Sequence, residues 1–449
     1  MAWKSKAAAS SLAVVVALGV GHRNELLEYD NTAAEVGDAI GAAAVGAVDG
    51  GIAGAKRLGS NAIEAIGSWS GGSSDTTSAN EDESDGNKGV GAPGKRGRTG
   101  DNNGNDTEDD PLASCVAKMP LDDRIGQTHV VGIPADTLES AADVFSDESV
   151  GGVLLMPSPK DGPGERYIYK YTKNGEIKAF IKKQKYKPLV TTDEEGGSVQ
   201  RYKDMHELPS AAEVASSKTP EQAGKMIEEH GKRLNPLGIN WILGTVVDRA
   251  QGDDPPLGDR LFSRDQDEVA AFAAAEATGW EKAGILPTMK HWPGGVGSAN
   301  TDYEVGITPD FKQIQKKDYK PYKYKGKMSI MVSNAVVPGL SEKGVPVSLS
   351  RKAVTGQLRE KDSFDGLITV DALNAVAVKA TGKSVPEAVA ESFAAGVDMP
   401  LYVADSSSLR GQIKASKKAL RAFVKEDPAN EEQLNASVVR IMREKKFTC

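Results

Sequence analysis

The sequence predicts an α/β chain whose folded part is a (β/α)8 TIM-type barrel, preceded by a signal or anchor segment and a disordered tether. Three observations carry that expectation. From Pro111 onward, short runs rich in β-branched residues alternate with longer amphipathic patterns, so the chain reads strand, helix, strand, helix. The apolar runs are nearly continuous rather than alternating, as in parallel strands that helices cover on the outside. Eight such units in about 335 residues match a closed barrel. A doubly wound open sheet is the lesser alternative.

In chain order, a first strand at 128–133 is followed by an amphipathic helix at 138–145. A strand at 150–156 leads through a long loop to a helix at 175–185, and a strand at 188–192 leads through a polar loop to a helix at 220–234. Next come a strand at 239–247 with a helix at 267–283, a strand at 285–289, and a strand at 328–333 with a helix at 350–358. A strand at 367–370 with a helix at 385–395, then a strand at 397–401 and two closing helices, complete the chain.

Residues 1–112 are unlike the rest. Lys4 and Lys6 precede an apolar run at 7–20, which is too short to span a bilayer comfortably and reads as the core of a signal peptide. Gly21-His22-Arg23 offers no small-x-small cleavage site, so residues 1–32 are expected to be a signal peptide or an uncleaved membrane anchor, and the product exported. With no cysteine before Cys115, a lipid on an N-terminal cysteine is excluded. Residues 33–112, first Ala/Gly-rich and then almost wholly polar, are expected to be a disordered tether, because they cannot bury enough surface to offset their ordering entropy. The basic patch Lys95-Arg96-Gly97-Arg98 lies between acidic blocks in a chain of net charge −8, which argues against a nucleic-acid partner. The two cysteines, Cys115 and Cys449, stand at opposite ends of the expected domain at 113–449 and are expected to bridge them.

The polar residues cluster where strands end. Asp193, Glu194 and Glu195 follow the third strand, Asp248 the fourth, and Lys290 and His291 the fifth; Ser333 and Asn334 end the sixth and Asp371 the seventh. In a barrel these positions ring one mouth, and a carboxylate after a buried strand needs compensation for its lost hydration. The segment 284–304 is central, a short strand that presents Lys290 and His291 and then a polar loop that closes on Asp302 and Glu304. Paired carboxylates among fixed donors are what glycosidic cleavage requires. No His/Cys/Asp grouping has metal-ligand spacing, no Gly-rich loop matches a phosphate cradle and no Ser sits in a G-x-S-x-G elbow, so neither metal nor cofactor is expected.

The segments Asp193-Glu-Glu-Gly-Gly-Ser-Val-Gln-Arg201, Gly258-Asp-Arg-Leu-Phe262, Lys290-His-Trp-Pro-Gly294 and Ile368-Thr-Val-Asp-Ala-Leu373 resemble, in the same order, the signatures of glycoside hydrolase family 3, in its single-barrel β-N-acetylglucosaminidase branch. The resemblance covers Leu121 to the C-terminus. It implies that Asp371 is the nucleophile and that Asp193, Arg201, Arg260, Lys290 and His291 hold the terminal sugar. It also implies exo-acting hydrolysis with retention, on N-acetylglucosamine-containing, peptidoglycan-derived saccharides.

Two departures stand out. Many members carry Pro-Gly-His-Gly and Asp-x-His after the fifth strand, the second histidine acting as acid/base; here Gly295 and Glu304 occupy those places. Asp302 and Glu304 are the loop's only candidates for the acid, with Glu304 slightly preferred for its place and reach. Val370 before the nucleophile is expected to alter packing only. Two other functions remain open at this point: a catalytically inactive protein that binds cell-wall sugars, and a glycoside phosphorylase.

Overall fold

In the computed structural model, which describes residues 110–448 apart from 162–165, 252–254, 256 and 296–299, the described chain opens on the helix Pro111–Ala117. The expected anchor and nearly all of the tether lie outside the described residues, as does Cys449.

Seven parallel strands and one irregular segment close the barrel. β1 (Val130–Pro134) pairs in parallel with β2 (Gly152–Met156), and β2 with β3 (Leu189–Thr191). A short antiparallel hairpin, β4 (Glu194–Gly196) and β5 (Val199–Gln200), rises from the end of β3 and was not expected. On the far side β6 (Thr288–Trp292), β7 (Ser329–Val332) and β8 (Ile368–Val370) pair in parallel, and β9 (Leu401–Val403) returns to β1. Thr369 and Met399 bridge β8 towards β9, with Met399 N–H donating to Ile368 O at 3.1 Å.

The segment 239–247, expected as the fourth strand, forms only single bridges, Trp241 to Leu286 and Val246 to Lys290. It still joins the two sheets: Trp241 N–H donates to Val190 O at 3.2 Å, Ile242 N–H to Leu286 O at 2.9 Å and Leu243 N–H to Thr192 O at 3.1 Å. The ladder breaks for a physical reason. Leu243 O accepts from the Lys290 ammonium at 2.7 Å, so a carbonyl that a regular strand would spend on its neighbour is drawn to a buried cation instead.

Side chains alternate between two apolar layers. Val130, Leu154, Leu189, Trp241, Leu286 and Met331 point into the barrel, whereas Val131, Ile133, Val153, Val190, Ile330 and Val332 pack outward against the helices. The two long helices Pro220–Leu234 and Gln266–Lys282 lie side by side. A methyl group on Gly279 would stand 2.4 Å from Gly224 O, so their closest approach depends on bare backbone. Thr219 and Asp265 cap their first turns. A π-helix at Lys352–Lys361 takes the place expected for an α-helix at 350–358, and the helices Ala211–Ser217, Phe311–Lys317 and Val376–Lys379 lie in what read as loops.

Candidate active site

The mouth is organised around a buried ammonium. Lys290, in the middle of β6 and 2% exposed, directs Nζ to Glu195 Oε1 at 2.5 Å and Asp193 Oδ1 at 3.0 Å. Glu195 also accepts two bonds from the Arg260 fork, from Nε at 2.7 Å and Nη2 at 3.0 Å. That bidentate geometry needs a planar guanidinium, supplied here by the short 3-10 turn Gly258–Arg260. Burial alone would raise the Glu195 carboxyl, but the charges of Arg260 and Lys290 outweigh it and hold the group down at about 2. Lys290 likewise stays charged: burial acts to lower its pKa, and Glu195 and Asp193 raise it above the ordinary lysine value.

Glu194 on the same hairpin works inward. Its Oε2 accepts from Arg201 N–H at 2.9 Å and Tyr202 N–H at 3.1 Å, while Oε1 meets Gln200 Nε2 and His230 Nε2, both at 2.9 Å. This fixes the turn that carries Arg201, whose Nη2 lies 3.7 Å from Asp193 Oδ2. Asp248 ends the irregular fourth segment, and its Oδ2 accepts from His291 N–H at 3.1 Å and lies 2.7 Å from His291 Nδ1. The Lys290–His291 and Trp292–Pro293 peptides are both cis. Arg201 Nη1 and Asp248 Oδ1 are buried without a hydrogen-bond partner among the described residues.

Asp371 directly follows β8, its N–H donating to Val332 O at 2.9 Å and its Oδ1 accepting from Ala372 N–H at 2.8 Å. The loop after β6 folds back towards it. Val376 N–H donates to Asp302 O at 3.3 Å and Ala377 N–H to Thr301 O at 3.2 Å, which seats the loop on the helix Val376–Lys379. There the Asp302 carboxyl is raised to about 7, first by desolvation and then by the charge of Asp371, with His291 and Arg260 opposing. Glu304 is exposed. Of the two acid candidates in this loop, Asp302 is half-buried with its backbone tied to Val376, and Glu304 lies two residues later on the exposed side.

Asp193, Arg201, Arg260, Lys290, His291, Asp302 and Asp371 thus gather at one mouth. Glu195 and Asp248, which the sequence puts at the same mouth without a role, belong with them, Glu195 through Lys290 and Arg260 and Asp248 through His291. Cys115 lies half-buried in the first helix, far along the chain from these residues. Among the described residues no His/Cys/Asp/Glu group could hold a metal ion.

Residues 120–444 match the glycosyl hydrolase family 3 N terminal domain. The chain is 32% identical over 303 residues to beta-hexosaminidase LpqI of Mycobacterium tuberculosis, covering 65% of this chain and 75% of that protein. The solved structure of M. tuberculosis LpqI superposes with a TM-score of 0.66 at 31% identity, covering 75% of this chain and 97% of that one. The beta-N-acetylhexosaminidase from Beutenbergia cavernae gives a TM-score of 0.64 at 25% identity, covering 74% and 100%. An uncharacterized secreted glycosyl hydrolase of Arthroderma benhamiae is 31% identical over 65% of this chain and 84% of its own length.

Proposed function

This chain belongs to glycoside hydrolase family 3, and from that premise we propose that it removes terminal N-acetylglucosamine from peptidoglycan-derived saccharides, with retention of configuration. It is an exo-acting β-N-acetylglucosaminidase, in keeping with its hexosaminidase relatives. The observation that carries the mechanism is the loop after β6 folding back to the end of β8, where Asp302, raised to about 7, feels the charge of Asp371. A carboxyl raised towards neutrality beside a second carboxylate suits a proton donor.

Asp371 attacks the anomeric carbon. As that C–O bond forms, the bond to the leaving oxygen breaks and the proton held by Asp302 passes to it. In the second step Asp302 takes a proton from water, whose oxygen bonds to the anomeric carbon and frees Asp371. Asp193, Arg201 and His291 grip the sugar hydroxyls, with Arg201 Nη1 and Asp248 Oδ1 as unengaged polar atoms suited to the task, while Lys290, its ammonium already on Glu195, Asp193 and Leu243 O, positions Asp193. Arg260 acts mainly by holding Glu195, since its fork is spent there.

The Lys4/Lys6-led apolar segment supports export, with 1–32 as signal or anchor, 33–112 as tether and 113–449 as the catalytic domain. A secreted relative supports the same location. Among the described residues no helix is long and apolar enough to cross a membrane.

The test compares nitrophenol release from 4-nitrophenyl N-acetyl-β-glucosaminide and from the corresponding glucoside, with and without phosphate. Release from the first alone, independent of phosphate, is expected. Equal rates on both would sink the sugar assignment, and phosphate-dependent release with a sugar phosphate product would make the protein a phosphorylase.

A further inference from the structure

Among the described residues four large apolar side chains are exposed, Tyr303 at 53%, Val305 at 48%, Ile307 at 64% and Val376 at 40%; Tyr303 directly follows Asp302, and Val376 N–H donates to Asp302 O. Isolated exposed apolar residues are ordinary, but a cluster marks a contact surface. Looseness of the loop does not account for it. One end is fixed by the bonds from Val376 and Ala377 to the carbonyls of Asp302 and Thr301. The other is fixed by Val336, whose N–H donates to Gly306 O at 2.8 Å and whose carbonyl accepts from Thr308 N–H at 3.1 Å. Residues 303, 305 and 307 are thus held in solvent on a backbone anchored at both ends, with the turn at 300–304 closed by bonds from Tyr303 and Glu304 N–H to Asn300 O.

We propose that Tyr303, Val305, Ile307 and Val376 form the leaving-group subsite, and that it takes an aglycone with an apolar face or alkyl part. The proposal rests on the reading of Asp302 as proton donor. That donor must meet the bridging oxygen, and Tyr303 is the next residue, so whatever hangs from that oxygen departs across this face. The other side of the mouth is lined by Asp193 and His291, polar groups suited to hydroxyls. A lipid surface is the weaker occupant, because Glu304 stands within the cluster and the chain carries a net charge of −8, which an anionic membrane repels.

The test is a series of methyl, butyl and octyl N-acetyl-β-glucosaminides, whose leaving alcohols differ little in acidity and greatly in apolar length. For the native protein, kcat/KM is expected to rise about tenfold from methyl to octyl, as partial burial of added methylenes would give. In Ile307→Ser the octyl-to-methyl ratio should fall to near one, while Tyr303→Phe keeps it; Val376→Ser, on the other segment, gives a second reading should Ile307→Ser fail to fold. A flat series in a protein that still cleaves the methyl glycoside overturns the subsite and leaves the hydrolase reading standing. No turnover of any member, nor of the nitrophenyl glycoside, overturns both. Co-sedimentation with phosphatidylcholine vesicles, with and without phosphatidylglycerol, should show no association. Association that Ile307→Ser abolishes, together with a flat series, would assign the face to lipid and overturn the proposal.

Discussion

Lys290 and Glu195 meet at 2.5 Å across the barrel mouth, both side chains 3% exposed, and the pair is held on one side by Asp193 and on the other by the Arg260 fork. The ring of charges at the mouth is therefore built on a buried ion network and not on solvated charges. Removing one member leaves the other buried without compensation, which costs about 3 to 5 kcal/mol. Glu195→Gln and Lys290→Met are each expected to lose stability on that scale. The double variant should lose less than the sum, because the orphaned charge is then gone. Chemical denaturation of all four proteins checks this, and strict additivity would show the pair to be uncoupled. The folded Glu195 carboxyl is depressed to about 2, so its contribution is present above the ordinary glutamate value near 4.5 and is lost as pH falls through 2.

Asp371 is expected to be the nucleophile. Asp371→Asn should lower turnover of the nitrophenyl glycoside by at least about three orders of magnitude while sugar binding, followed calorimetrically, persists. A 2-fluorinated slow substrate should leave its adduct on the peptide that contains Asp371. An adduct on Asp193 or Asp248 would reassign the role.

The alternation of apolar runs placed seven of eight barrel strands within a few residues, because buried parallel strands leave a strong period-free apolar signal. It overreached at 239–247, where Lys290 claims Leu243 O; a long-range contact of that kind leaves no local trace in sequence. The strand expected at 285–289 instead forms its ladder at Thr288–Trp292, since Lys290 and His291 read as polar although charge pairing lets Lys290 be buried inside the strand. Most of the site was legible as acids and cations at strand ends. Which of Asp302 and Glu304 faces inward was not, because that depends on bonds from Val376 and Ala377, some 75 residues later.

Glu276 gives a pH test of stability apart from the mouth. It is buried on the helix Gln266–Lys282, accepts from Thr245 Oγ1 at 3.0 Å, and is raised to about 7, first by burial and also by the charge of Glu195. A raised carboxyl stabilises the fold while protonated, and that contribution is lost as pH climbs from about 4.5 through 7. Glu276→Gln should flatten this decline, leaving the variant more stable than the native protein at pH 9 by on the order of a few kcal/mol. Parallel pH profiles of the two would refute the assignment.

Cys115 and Cys449 are expected to form a disulfide. The helix Pro111–Ala117 packs against the C-terminal helix Pro428–Glu444, with Val116 sharing a core cluster with Val438 and Met442. Phe447, two residues before Cys449 in the chain, lies against Tyr186. In the chain-entropy account a bridge that closes so long a loop stabilises by about 5 kcal/mol. Reduction should lower the unfolding midpoint, and the denatured, unreduced protein should titrate no thiol. Two titratable thiols would rule the bridge out.

The proton donor separates most sharply by leaving group and pH together. If Asp302 donates the proton, kcat/KM on a poor leaving group requires its protonated form and should decline above about pH 7, where that carboxyl ionises. Asp302→Ala should slow cleavage of a disaccharide by about two to four orders of magnitude, the range that general acid catalysis supplies. It should spare the glycosylation step of a dinitrophenyl glycoside, whose leaving group needs no proton, and the limb above pH 7 should vanish with it. Glu304→Ala, altering an exposed side chain, should leave both the limb and the leaving-group dependence in place. The opposite split, with Glu304→Ala sensitive to the leaving group and Asp302→Ala indifferent, would return the acid to Glu304. That outcome would also require the loop to turn over on substrate binding, breaking the bonds from Val376 and Ala377 that now hold Asp302 inward.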